Sequence, residues 1–244
     1  GSPERFDIEN AKAIALIGSH WGENMHNTVV QWASKALSKG ATFIVVDPRY
    51  SIIASKSRYY LPIKPATDLA LLLAWINVLI YEELYHKEFV ENYTDGFEEL
   101  KAAVSGYTPE WASRETGIKA SLIRETAYVL ARNKPSSFVY PGRHVVWYGD
   151  DTQRERAIHI INALLGAFGA KGGMFFKKKF KVAKYPAPKP HGRRPSWIRE
   201  FPYPFGKGHK FPTQLLFERS IPDKYGDKVF RGWSIYGTNL PQAV

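Results

Sequence analysis

Residues 41–68, ATFIVVDPRYSIIASKSRYYLPIKPATD, hold a strand, a turn and the start of a helix in close succession. The run Thr42–Val46 is short, β-branched and apolar, which suits a parallel strand buried on both faces. It stops at Asp47-Pro48, where proline has no N–H to give to a ladder. A carboxylate is thereby set at the carboxyl end of an interior strand, where open α/β sheets take up ligands. Asp47 offers two parallel acceptor oxygens that match the paired donors of a guanine edge or a ribose diol. The alternative is a loop aspartate that caps the turn after it.

Upstream, Ala13–Ile17 repeats the buried-strand pattern and runs into Gly18-Ser-His-Trp-Gly-Glu-Asn24. From Asn27 to Lys39 the apolar residues Val29, Val30, Ala33, Ala36 and Leu37 have the spacing of an amphipathic helix, which Gly40 ends. Residues 13–46 are therefore one β-α-β unit, and its right-handed crossover brings both strand ends to the same crevice. The loop is not G-x-G-x-x-G, the nicotinamide and flavin fingerprint. Ser19, His20, Glu23 and Asn24 supply side-chain donors and acceptors instead. For His20 and His26 a satisfied loop histidine is an equally good reading.

Downstream, Tyr59–Ile63 is a third short strand, followed by Lys64-Pro-Ala-Thr-Asp68 and a strongly apolar helix from Leu69 to Tyr81. Thr67 or Asp68 can cap that helix, whose free N–H groups favour an anion, and Lys64 beside them favours a phosphate or purine edge. Residues 82–133 read as helices without chemistry, one of them opened by Thr108-Pro109. Ser137–Tyr140 is a further strand, and Arg143 and His144 follow its turn glycine, a position from which side chains reach into a crevice. An arginine there grips an oxyanion through two parallel N–H groups. Residues 152–165 form the next helix, and four glycines between 166 and 173 imply positive φ or close backbone approach. Residues 232–239, GWSIYGTN, read as another strand with a polar turn.

With 244 residues, 44% of them apolar, the chain is long enough to bury a sizeable core as one or two domains. The absence of cysteine excludes disulfides and thiolate-held metals or iron–sulfur clusters within these residues. The longest apolar run, Leu69–Ile80, is broken by Asn77 and too short to span a bilayer, and no secretory signal opens the sequence. The net charge of +11 is uneven: residues 1–170 carry 18 basic against 19 acidic groups, and residues 171–244 carry 16 against 4, with 9 of the 16 prolines. Such a stretch can contact phosphates, but it has no recognition-helix or RNA-binding signature, so a long irregular connection is the preferred reading over nucleic-acid binding.

Six segments taken in order, LIGSHWGENMHN, FIVVDPRYSIIASKS, LPIKPATDLALLLAW, YTPEWASRETGI, YPGRHVVWYGDDTQRERAIHIINALLGAFGAKGG and GWSIYGTNL, resemble the catalytic subunits of the molybdenum and tungsten bis-pterin oxidoreductases. This is the dimethyl sulfoxide reductase superfamily, and the PGRH-x-x-WYGDDTQ stretch is most similar to its polysulfide and thiosulfate reductases, with arsenate and tetrathionate reductases as near relatives. The resemblance implies an α/β domain, a doubly wound and mainly parallel sheet flanked by helices, over residues 1–170. A basic Pro-rich connection over 171–230 and the returning strand of a discontinuous neighbouring domain over 231–244 would follow.

It further implies one of two molybdopterin guanine dinucleotides held by Gly18, Ser19, His20, Glu23, Asn24, Asp47, Arg49, Ser51, Lys64, Pro65, Thr67 and Asp68. Arg143 and His144 would lie towards the metal and substrate. Ala66 stands where the family usually has glycine, and Tyr140 where this branch tends to have histidine. The metal ligand and a 4Fe–4S cluster are expected in an earlier part of a longer chain, so these residues alone should not turn over. A sulfur compound or arsenate as substrate, an iron–sulfur electron-transfer subunit, a membrane-anchor subunit and a periplasmic location are implied in the same way. The competing reading is a non-catalytic electron-transfer relative of the same fold.

In the complete enzyme, Arg143→Lys is expected to slow turnover by about 2–4 kcal/mol in transition-state terms, as for loss of one preorganised donor. Unchanged turnover at full metal and pterin occupancy would remove Arg143 from the active site.

Overall fold

A computed structural model describes residues 4–23, 27–142 and 151–176. The chain runs through β1 (Glu4–Phe6), β2 (Ala13–Ile17), α1 (Asn27–Ser38), β3 (Thr42–Val46), α2 (Ile52–Lys56) and β4 (Tyr59–Leu61). The helices α3 (Asp68–Tyr81), α4 (Lys87–Tyr93), α5 (Phe97–Ala103), α6 (Pro109–Thr116) and α7 (Ala120–Arg132) follow, then β5 (Ser137–Pro141), α8 (Asp151–Leu164) and β6 (Met174–Phe176). The two strands of the N-terminal β-α-β unit lie where their apolar runs predict. α1 ends at Gly40, whose φ of 86° is left-handed.

Four strands form an all-parallel sheet in the order β4-β3-β2-β5. β2 is paired on both sides, and all five of its residues are buried. Ala13, Ala15 and Ile17 face a core shared with α3, α7 and α8, while Ile14 and Leu16 face a second core with Trp21, Ala33 and Ala36. Helices therefore cover both faces, and this explains why the strands read as continuous apolar runs rather than alternating ones. α3 buries ten of its residues and packs against α6, α7 and α8, which is why its pattern is apolar nearly all round.

β5 is an edge strand of this sheet, and α8 closes that edge with one side chain. Asn162, fully buried, accepts the N–H of Val139 through Oδ1 at 2.8 Å and donates Nδ2–H to the Val139 carbonyl at 3.0 Å. A side-chain amide thus takes the place of the next strand, and both main-chain groups are paired out of water.

A second sheet of two antiparallel strands pairs Glu4–Phe6 with Met174–Phe176. The opening of the 171–230 stretch, expected to be irregular connection, instead folds back on the amino terminus. Asp7 anchors it: its N–H reaches the Gly173 carbonyl at 2.9 Å, and its carboxylate accepts the Gly172 N–H at 2.9 Å. Gly166, Gly169 and Gly172 have positive φ, as the glycine cluster predicts. The rest of the proposed connection and the 231–244 strand lie outside the described residues.

Replacing Asn162 by Leu keeps the volume but strips both partners from Val139. Each buried main-chain group left unpaired costs about 1–3 kcal/mol, so denaturant unfolding should show a loss of about 2–5 kcal/mol. A loss below about 0.5 kcal/mol would mean that the edge is satisfied in another way.

Candidate functional site

The crevice is built where β2 and β5 end side by side. Ile17 pairs with Val46 on one side and Pro141 on the other, so three strands finish level. The chain then leaves β2 through Gly18, whose φ is 55° and whose N–H still bonds the Val46 carbonyl at 3.0 Å. Gly142 lies against it so closely that a Cβ would stand 2.0 Å from the Ile17 carbonyl oxygen and 2.7 Å from that of Gly18. No other residue fits there without moving the backbone of one strand end.

The two loops predicted to converge do meet. Asp47 is 3% exposed, and its Oδ1 accepts the Arg49 N–H at 2.8 Å, the turn-capping bond that the plainer reading of this residue required. Its Oδ2 is buried with no hydrogen-bond partner among the described residues. The nearest cationic candidate, His20 Nδ1, is 3.6 Å away, too long for a hydrogen bond. Arg49 Nη2 stands 3.0 Å from that same nitrogen, and a guanidinium only donates, so Nδ1 accepts there and has no proton to offer Asp47.

Arg49 also donates to Glu23 Oε2 at 2.7 Å, and Glu23 Oε1 accepts the Ile52 N–H at 2.8 Å. The Arg49 hydrogen bond, followed by the Ile52 N–H, holds the Glu23 carboxyl below its ordinary value. Glu23 thus ties the loop after β2 to the one after β3. Ser51, buried, caps α2 by accepting the Ala54 N–H at 3.4 Å. Ser19 is buried as well.

Aromatic rings wall this site, and the sequence reading passed over them. Trp21 is buried between Phe43 and Tyr140, with ring centroids at 6.0 and 5.0 Å. Tyr60 lies near Asp47: burial first, and then the Asp47 charge, push its hydroxyl above the ordinary value. Tyr50 packs edge-to-face on Tyr60 at 5.0 Å and is itself 63% exposed. The visible signal was the Tyr59-Tyr60 pair on a strand beside β3, which pointed to a wall of the site rather than only to core.

Lys64, Pro65, Thr67 and Asp68 make contacts elsewhere. Lys64 and Pro65 are exposed, and the Lys64 N–H bonds the Thr116 carbonyl of α6 at 3.0 Å. Thr67 precedes α3 but does not cap it, since its hydroxyl donates to the Lys64 carbonyl at 2.6 Å. Asp68 is the first helical residue, and its Oδ2 accepts from Arg154 of α8 at 3.1 Å, the two side chains being 17% and 13% exposed. The capping expected of Thr67 or Asp68 is thus replaced by a turn bond and an ion pair. Ala66, in the usual glycine position, adopts a φ of 67°, a left-handed backbone that costs a residue with a Cβ about 1–2 kcal/mol. Arg143, His144, Asn24 and His26 lie outside the described residues.

A groove of about 650 Å³ opens at the opposite, amino-terminal end of the sheet, among Lys12, Thr42, Ser136 and Lys171. Its main-chain groups are paired, Lys12 N–H with Ser136 O at 2.7 Å and Thr42 N–H with Lys12 O at 2.8 Å. Asp47 Oδ2, buried without a partner among the described residues, is at the other end.

Residues 2–201 match the family model described as molybdopterin oxidoreductase. The chain is 36% identical to the thiosulfate reductase molybdopterin-containing subunit PhsA of Salmonella typhimurium over 182 residues, 75% of this chain and 24% of the relative. It is 44% identical to the F420-dependent formate dehydrogenase subunit alpha of Methanocaldococcus jannaschii over 134 residues, 55% of this chain and 20% of that one. Among solved structures, acetylene hydratase from Pelobacter acetylenicus superposes with a TM-score of 0.66 at 32% identity, covering 72% of this chain and 24% of that chain. The chain therefore spans about a quarter of the length of such relatives.

The Glu23 tie has a pH signature. A carboxyl held below its ordinary 4.5 stabilises the fold fully above that value and loses its contribution as pH falls through the depressed folded value. Wild type should melt above Glu23→Gln at neutral pH, and the difference should shrink as the pH is lowered beneath 4.5. A difference that stays constant down to strong acid would show that the Arg49–Glu23 bond carries no stability.

Proposed function

Because the chain belongs to the molybdopterin oxidoreductase family, we propose that the loops at the carboxyl ends of its parallel sheet hold the nucleotide end of a molybdopterin guanine dinucleotide. This would be one of two that carry molybdenum or tungsten in the complete catalytic subunit. The observation that carries the reading is Oδ2 of Asp47, a buried carboxylate oxygen at the end of an interior strand with no hydrogen-bond partner among the described residues. Buried polar atoms are nearly always satisfied, and a ligand donor is what this one lacks. Guanine presents N1–H and N2–H side by side, and the Asp47 carboxylate can accept both, since Oδ1 keeps a second lone pair beside its bond to Arg49.

The other residues fit the same group. The Arg49 guanidinium is half exposed and has donors beyond those given to Glu23 and His20, which suits the diphosphate. Gly18, Ser19, His20 and Ser51, on the same two loops, would line the site beside it. Asp68 is paired with Arg154, so of the two aspartates Asp47 is the reader of the base, and Asp68 with Lys64, Pro65 and Thr67 would at most border it. When bound, the cofactor supplies two-electron redox chemistry at its metal. The protein's part is to hold it in place and to tune its surroundings.

For the substrate we favour a sulfur compound (polysulfide, thiosulfate or tetrathionate) or arsenate. The support is the PGRHVVWYGDDTQ segment, whose resemblance to that branch implies roles for Arg143 and His144 at the substrate, together with the likeness to a thiosulfate reductase chain. In the longer protein this reading entails a 4Fe–4S cluster, an iron–sulfur electron-transfer subunit, a membrane-anchor subunit and a periplasmic site of action. Attachment through a partner is compatible with these residues, because no described helix is long and apolar enough to cross a membrane.

The test is to make Asp47→Asn and Asp68→Asn in the full-length enzyme and to measure GMP released by acid hydrolysis per protein, metal content and thermal stability. Asparagine turns one acceptor into a donor facing a guanine donor, so Asp47→Asn should weaken nucleotide retention by about 1–3 kcal/mol. Asp68→Asn should lower stability while nucleotide content holds, because Arg154 loses its charge partner. Full nucleotide and metal in Asp47→Asn would place the guanine elsewhere.

A further inference from the structure

Tyr50 presents most of its ring to solvent although it follows the buried strand end by only four residues. Among the described residues its ring meets Tyr60 edge-to-face, at an interplanar angle of 82°. This arrangement buttresses the ring from one side and does not cover it by stacking. The Asp47 N–H bonds the Leu61 carbonyl, next to Tyr60, at 3.2 Å, so the exposed ring, the half-buried ring and the carboxylate form one cluster at the end of β3 and β4. Within it the Asp47 Oδ2 is buried and has no hydrogen-bond partner among the described residues, which independently marks the place for a ligand donor. Ser51 caps α2 directly after Tyr50, which fixes the backbone that carries the ring. The arrangement combines an acceptor for a planar group's edge with a rigid aromatic face three residues further along the same turn.

We propose that Tyr50 is the stacking surface for the purine ring whose edge Asp47 accepts, and that it adds affinity and a preference for purines over pyrimidines. The inference rests on the nucleotide reading above and deepens it: the carboxylate selects donors on the base, and the ring selects its size. A large flat surface with two restricted torsions gives contact at little cost in conformational entropy. Base–aromatic stacking is weakened by alanine substitution by about fivefold to somewhat over a hundredfold, and purines offer the larger face.

The experiment uses the full-length enzyme produced without its cofactor, with GMP and CMP as probes in equilibrium dialysis, and the variants Tyr50→Phe, Tyr50→Leu, Tyr50→Ala and Asp47→Asn. Tyr50→Phe should bind GMP as the wild type does, because the ring and not the hydroxyl is used. Tyr50→Ala and Tyr50→Leu should each weaken GMP by about tenfold or more and narrow its advantage over CMP, with an unchanged thermal midpoint in the absence of nucleotide. Leucine separates stacking from simple coverage of the rim. If Asp47→Asn weakens GMP but Tyr50→Ala and Tyr50→Leu do not, the stacking role is overturned and the nucleotide site stands. If the wild type binds no GMP, or Asp47→Asn binds it unchanged, the site itself fails and this inference with it.

Discussion

Everything at the candidate site depends on how closely the ends of β2 and β5 approach. Gly142 lies so near the Ile17 and Gly18 carbonyls that a single methyl group would overlap them. Two parallel strands can then stay in register to their last residue, with Ile17 opposite Pro141 as well as Val46. In the order β4-β3-β2-β5 the chain leaves β2 towards β3 on one side and returns as β5 on the other. Open α/β sheets take up ligands at such a reversal of strand order. Asp47, Arg49, His20 and Glu23 reach that point because the strands that lead into their loops are buried, β2 throughout and β3 from Phe43 to Val46, and cannot slip register without exposing core.

The sheet is held rigid by devices at both edges. β4 is only three residues long, and β5 is closed by the Asn162 amide, so no free ladder remains to pair with another chain at Val139. α8 supplies Asn162 to the edge and Arg154 to Asp68, and so links the strand end to the start of α3. Electrostatics at the crevice has a different character. Arg49 and Glu23 are partly exposed, their pair is screened by solvent, and its contribution is orientation of two loops more than stability. Asp47 is the exception at the crevice, a buried carboxylate whose second oxygen has no hydrogen-bond partner among the described residues.

Much of this was legible in the sequence because it is local. Buried parallel strands show as β-branched runs ending at Asp-Pro or Gly, and α1 and α7 show as apolar stripes of helical period. The cap of α6 by Thr108, with Pro109 at its first position, is a four-residue signal that the structure repeats. What escaped is short or long-range. α2 has five residues, less than two turns, too few for a period, and only Ser51 announced it. β1 and β6 have three residues each and pair across some 170 positions, which no local pattern encodes. Asp68 carries the same ambiguity: its place favours a cap or a ligand contact, but its partner Arg154 lies 86 residues away. The rings of Tyr50 and Tyr60 were read as strand and turn residues, since their bearing on Asp47 emerges only when β4 lies against β3.

The central claim is that the buried, unpartnered oxygen of Asp47 awaits a guanine edge. The structure of the full-length enzyme with its cofactor in place tests it most directly. The account predicts guanine N1 and N2 within about 3.2 Å of the Asp47 carboxylate, in the crevice beyond Gly18 and Gly142. A guanine bound away from the ends of β2 and β5, with Asp47 Oδ2 still facing no donor, would contradict it.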